Sequence, residues 1–219
     1  MQEFPVRWLV VSLWLLLSPG VSGAEEWQLV RRDEARDIRA YLRDVPGTAY
    51  KGFYATTRVK VSLSSIVAVL SDVPAMPEWV ARMRAARMLR RDANREVWVH
   101  GVYQLPYPFV EREAVLHATL SQKKSGVVEV VTHAVGGMVG RHPKRVRLTN
   151  MHSIWRLTPE KGGVVKIELW GHGDPGGYVP PLIFNYNLPD EPMQTLRNLR
   201  QMLTREKYLG KKLPYIREP

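Results

Sequence analysis

The chain has 219 residues, the length of one domain, and its 45% hydrophobic and 24% charged residues can build an ordinary core. It contains no cysteine, which excludes disulfides, thiolate nucleophiles, cysteine metal sites and a lipoprotein-type acylation anchor. A formal net charge of +11 directs attention to anionic partners: nucleic acid, a membrane surface or acidic proteins.

Residues 1–24 read as a secretory signal peptide. Arg7 precedes an apolar run from Trp8 to Leu17, Ser18-Pro19-Gly20 breaks it, and Val21 to Ala24 offer small residues for cleavage. The run is far shorter than the roughly 20 residues of a membrane span, and the alternative is an uncleaved anchor. Export implies a periplasmic or secreted protein and argues against nucleic acid as a partner. One local basic cluster stands out: Arg82, Arg84, Arg87, Arg90 and Arg91. It is either a solvated face or a patch for anionic lipid headgroups.

Strands are expected over residues 27–32 and 37–45, with Pro46-Gly47 as the following turn. Residues 51–61 alternate cleanly, with Phe53, Ala55, Thr57, Val59 and Val61 on one face. Ser62 caps a helix over 63–70, and a second short helix is expected over 77–83. Strands follow over 86–91, 95–104, 111–122, 127–134, 145–157 and 164–172. Between two of them lies Leu105-Pro106-Tyr107-Pro108-Phe109, too rich in proline for a ladder and too apolar for an ordinary solvent loop. After Asp174-Pro175-Gly176-Gly177 the chain becomes helical. Pro180 suits a first turn, Pro189 and Pro192 break or kink the helix, and Asp190 is a fair N-cap for its second part. Met193, Leu196, Leu199 and Leu203 form one apolar face. Residues 211–219 read as a loosely ordered tail.

Strands in long runs with segregated helices imply an α+β domain over residues 25–210. A curved antiparallel meander gripping a long C-terminal helix is a helix-grip arrangement, and the space between the two is the natural hydrophobic cavity.

Several segments, in this order, resemble the START domain, the steroidogenic acute regulatory protein-related lipid transfer family within the Bet v 1-like superfamily. They are Lys51-Gly52-Phe53 after a strand pair, Glu78-Trp79 in a helix pair, and Pro108-Phe109-Val110-Glu111-Arg112-Glu113. Val146-Arg147 before Trp155 follows, and then Asp174-Pro175-Gly176-Gly177-Tyr178-Val179-Pro180 with Asn185 and Pro192. The resemblance covers residues 27–208. It implies a hydrophobic tunnel for one lipid, gated by the last helix and by the loop at residues 104–109. It departs from the family at Glu113, where an aspartate is usual, and at Ala118, where sterol binders carry a cavity arginine. The departure at Ala118 leaves phospholipid, fatty acyl, hopanoid or another polycyclic lipid as the ligand.

The expected cavity wall comprises Trp98, His100, Arg112, Leu116, Ala118, Asn150, His152, Trp155, Phe184, Tyr186, Met193 and Leu196. The aromatic members either touch ligand or pack the core. Arg112 and Glu113 read as a structural ion pair or as orienting groups for a headgroup. Asn150 and His152 need partners if their face is internal. Pro106, Tyr107, Pro108 and Phe109 read as gate and membrane contact or as a loop packed on the last helix. The six histidines, His100, His117, His133, His142, His152 and His172, lack metal-site spacing, so neither metal nor cofactor is expected. Asp174 in Gly171-His172-Gly173-Asp174 is explained by turn chemistry.

The leading expectation is therefore an exported, non-enzymatic, monomeric carrier of a lipid or other hydrophobic small molecule, in transient contact with an anionic membrane surface. The alternatives are a cyclase- or hydrolase-like enzyme on the same fold and an envelope interaction module with a filled core.

Overall fold

The computed structural model of the protein describes residues 26–219, so the segment read as an export signal lies outside the described residues. The chain opens with β1 (Gln28–Asp33), β2 (Ile38–Arg43) and β3 (Gly52–Lys60), then the helices α1 (Leu63–Leu70) and α2 (Met76–Trp79). A run of strands follows: β4 (Met83–Asp92), β5 (Glu96–Tyr103), β6 (Arg112–Gln122), β7 (Val128–Ala134), β8 (Val146–Arg147), β9 (Met151–Glu160) and β10 (Val164–Gly173). Two helices close the domain, α3 (Pro181–Asn187) and α4 (Asp190–Met202).

The strands form one curved sheet in the order β1-β2-β3-β10-β9-β7-β6-β5-β4. Every pairing along this path is antiparallel, and β8 adds a short parallel pairing to the start of β6. With the C-terminal helices laid against its concave side, this is the helix-grip α+β fold.

The core sits where α4 meets the sheet. Met193, Leu196, Leu199 and Met202 recur at helical spacing, are buried, and pack with Ile38, Ala55, Leu157 and Ile167. Polar bonds stitch the edges of the helix down. Asn198 donates to the Trp79 carbonyl at 3.2 Å, and Thr195 accepts from the Ala81 N–H at 3.0 Å. Arg200 donates to the Thr57 hydroxyl at 3.0 Å. α1 follows its cap, with the Ser62 side chain accepting from the Ser65 N–H at 3.1 Å.

Four local expectations change. The helix expected over 77–83 stops at Trp79, because Val80 is extended and Arg82 takes a left-handed φ of 60°; Met83 already belongs to β4. The strand expected over 145–157 is two strands. Val146 and Arg147 pair with Arg112 and Glu113, and the chain then leaves β6 to run as β9 between β10 and β7. Asp190 lies in the first turn of α4 and Pro189 occupies its N-cap. The tail at 211–219 is anchored: Ile216 is buried, and the Glu218 carboxylate accepts from the Leu63 and Ser64 N–H groups at 2.9 and 2.8 Å. That carboxylate satisfies free N–H groups at the start of α1.

Candidate ligand site

α4 covers the concave face over β2, β3, β10 and β9 and leaves the inner face of β5, β6 and β7 facing space. A cavity of about 790 Å³ lies there. Its strand wall comes from Val97 and Val99 of β5, Leu116, Ala118 and Leu120 of β6, and Val130 and Thr132 of β7. Its helix wall includes Trp79, Leu188 and Thr195, and Trp79 meets Trp155 edge-on at 5.9 Å. The volume falls within the range of small-molecule sites, and the wall is largely apolar with a few polar groups.

α3 and the segment before it cover one end, the part of the structure expected from the sequence to act as a lid. Phe184 of α3 lies in the lining and stacks edge-on against Tyr50 at 5.2 Å. Asn185 ties α3 to the loop before β3, accepting from the Lys51 N–H and donating to the Ala49 carbonyl, both at 2.9 Å. Opposite stands the loop Leu105 to Phe109, all of which contributes to the lining. Tyr107 is 97% exposed, Tyr178 89% and Leu182 83%, so the two edges of the mouth present apolar and aromatic side chains to solvent.

Arg112 connects these edges. Its side chain is only 2% exposed, and its guanidinium donates to the Val110 carbonyl on the loop side. On the lid side it donates to the carbonyls of Pro175 and Gly176, both at 3.0 Å. Burial draws its pKa below the usual arginine value. The turn it grips is fixed by Asp174, whose carboxylate accepts from the Gly176 N–H at 2.8 Å. Gly176 has a φ of +63°, and a Cβ there would meet Val146 at 2.7 Å, so glycine is required at that position.

The anticipated Arg112–Glu113 pair does not form, because successive strand residues point to opposite faces. Glu113 is 1% exposed and lies on the outer side, held by Arg147 at 2.8 Å, His100 at 3.1 Å and the His142 N–H at 2.9 Å. Burial would raise its pKa, but these hydrogen bonds outweigh it and hold the carboxyl at about 2.

Of the anticipated wall residues, Arg112, Leu116, Ala118, Asn150, His152, Trp155 and Phe184 meet around the cavity, together with Pro106, Tyr107, Pro108 and Phe109. Trp98 and His100 lie on the other face of β5. Trp98 stacks flat on His117 at 4.2 Å with Arg90 over its ring, and His100 serves Glu113. Met193 and Leu196 are packed into the core, and Tyr186 is exposed on α3. Asn150 and His152 do not sit mid-strand on an internal face. Asn150 precedes β9, and His152 alternates with the buried Trp155 and Leu157 while its ring stacks on His172 at 5.9 Å. Burial, then the neighbouring imidazoles of His172 and His133, lower its pKa.

His117, His133, His152 and His172 are cross-strand neighbours in register. Among the described residues no three histidine or acidic side chains converge as a metal site. Sequence reasoning missed Val97, Val99, Val130 and Thr132 of the wall and Tyr178 of the mouth, whereas it read residues 182–188 as lid and wall. For Val130 and Thr132 the alternation of β7 was the available signal.

A sequence profile of the START domain matches residues 15–207. An uncharacterized protein of Pseudomonas aeruginosa is 26% identical over 184 residues, covering 83% of this chain and 90% of its own. Among solved structures, the STAR-related lipid transfer protein of Xanthomonas axonopodis superposes with a TM-score of 0.76 at 26% identity, over 82% of this chain and 99% of that one. Human StAR-related lipid transfer protein 5 superposes with a TM-score of 0.72 at 13% identity, over 81% of this chain and 86% of that one, a likeness of fold.

Proposed function

The chain belongs to the START-domain family, and on that premise we propose that it binds and transfers lipid, holding one hydrophobic molecule in the cavity between sheet and lid. The carrying observation is the 790 Å³ space walled by Val97, Val99, Leu116, Leu120 and Val130. Apolar surface lining a cavity open to solvent gains when hydrocarbon covers it, and each methylene withdrawn from water contributes about 0.8 kcal/mol. Affinity then needs no catalytic group. The relative from Xanthomonas, named as a lipid transfer protein, supports this reading.

Opening requires α3 and the loop before β6 to separate. Arg112 is the tie between them, and the Leu188–Pro189 junction between α3 and α4 is the hinge. Tyr107, Tyr178 and Leu182 enter the interfacial layer of a membrane, where aromatic rings are favoured, and the net charge of +11 draws the protein to anionic lipid. Docking and opening are then one event. Ala118 in the cavity wall gives no cationic anchor for a sterol. The protein works after export as a monomer.

The test is transfer of fluorescent phospholipid between donor and acceptor vesicles. Transfer should rise with protein concentration and with the anionic lipid content of the vesicles. Transfer at the rate of vesicles alone, with no lipid retained on re-isolated protein, would contradict the reading. Fractionation of the producing cell tests export, which predicts a mature chain that begins near residue 24 outside the cytoplasm.

A further inference from the structure

The cavity has a second end. It follows β5 from Glu96 past Val97 and Val99 to Tyr103, a run of about 23 Å at the rise of a strand. At the lid end its rim carries Tyr107, Tyr178 and Ile183, and the charged residues that line the space there are engaged within the protein: Lys51 pairs with Asp44, Arg82 with Glu191 at 2.7 Å, and Asp174 holds its own turn. At the far end, where β4 turns into β5, the rim is Ser71, Arg91, Asn94, Arg95 and Glu96. Arg91, Asn94 and Arg95 are exposed there, so the space reaches solvent at this end too.

The charges at this rear rim do not cancel locally. The nearby carboxylates are committed to other partners: Asp72, next to Ser71, pairs with Lys207 and accepts from the Tyr208 hydroxyl at 2.8 Å. Asp92 pairs with Arg90, and Glu96 turns away to His117, Oε2 to Nε2 at 2.9 Å. Arg91 gives one N–H to the Ser71 carbonyl at 2.9 Å, an uncharged acceptor. Two arginines, Arg91 and Arg95, therefore border the tunnel at the end opposite its mouth. Guanidinium groups form their strongest bonds with carboxylate and phosphate oxygens.

We propose that the ligand is an anionic amphiphile, its carboxylate or phosphate held at the rear rim by Arg91 and Arg95 and its hydrocarbon running forward along β5 to the lid. This rests on the lipid-binding reading and names the class of lipid. It also gives the ligand a direction: the headgroup is read at the basic end, and the tail end lies at the mouth that meets the membrane.

The experiment displaces the neutral probe N-phenyl-1-naphthylamine from the full chain with ligands matched in chain and differing in charge. Hexadecanoic acid is compared with 1-hexadecanol, and lysophosphatidic acid with the monoacylglycerol of the same chain. The charged member of each pair should bind about tenfold more tightly, the size of effect that partly solvated charges provide. In the R91Q/R95Q double variant the two members should become equal, with the neutral member's affinity unchanged. That unchanged affinity also reports an intact fold. Millimolar inorganic phosphate should leave the probe in place. Equal affinities in the native protein, or a preference that survives the double substitution, would overturn the proposal. Displacement by inorganic phosphate alone would overturn it in favour of a free-anion site. Failure of all four lipids to displace the probe, together with no uptake from vesicles, would remove the lipid-binding reading itself.

Discussion

The two halves of the concave sheet face are built from the same kinds of residue and end in opposite states. Over β2, β3 and β10, α4 supplies Leu196 and Leu199, and the space is filled. Over β5, β6 and β7 the inward residues Val97, Val99, Leu116 and Val130 face a cavity. Interiors normally pack like organic crystals, so the open half is stability left ungained unless something else occupies it. The filled half makes this possible, because it carries the fold and lets the other half remain unfilled.

This contrast can be broken or sharpened by substitution. The largest effect is expected at neither surface but at the outer brace of the open half. Glu113→Ala leaves the buried Arg147 without its acid and should cost about 3–5 kcal/mol in urea denaturation. Leu199→Ala in the filled half should cost about 3–4 kcal/mol, whereas Leu116→Ala, part of whose surface already faces space, should cost about 1–2 kcal/mol. Equal costs for the two leucines would mean that the halves are packed alike.

Arg112→Met removes one hydrogen bond to the loop side and two to the lid side. It should cost about 2–3 kcal/mol and speed lipid exchange several-fold in the vesicle assay. Slower or unchanged exchange would remove Arg112 as the tie. The smallest stability effect is expected for Ala118→Trp, which places an indole in the cavity and should leave the melting temperature nearly unchanged while abolishing lipid uptake.

Acid should act on the brace. The folded carboxyl of Glu113 lies at about 2 against an ordinary 4.5, so its contribution is present above the unfolded value and is lost as pH falls from about 5 towards 2. Denaturation across that window should show a steeper loss for the native chain than for Glu113→Gln. Identical slopes would remove Glu113 from the acid response.

The filled half was legible in the sequence. Period-two alternation marked β3, a serine cap marked α1, and three-and-four spacing marked α4. The open half was less legible for a physical reason. In β5 both faces are apolar or aromatic, Val97 and Val99 on one and Trp98 and Val102 on the other. Alternation therefore does not say which face is inside, and a shift of one residue exchanges them. The outer face is dense because Trp98 is stacked between Arg90 and His117 and because Glu113 is buried beneath the Arg147 and His142 contacts. Apart from Arg90, which faces Trp98 across a hairpin, these partners are distant in sequence. The anchored tail escaped notice for the same reason, since Glu218 meets α1 across more than 150 residues. The lid was recognisable from Asp174 to Pro180, but its exposed Tyr178 and Leu182 became visible only with the geometry of the mouth.

The central claim is that the open half holds one lipid. Native mass spectrometry of protein re-isolated after equilibration with mixed phospholipid vesicles tests it most directly. The account predicts a single lipid adduct on the native chain and none on the Ala118→Trp variant. A bare native chain, or the same adduct on both proteins, would contradict it.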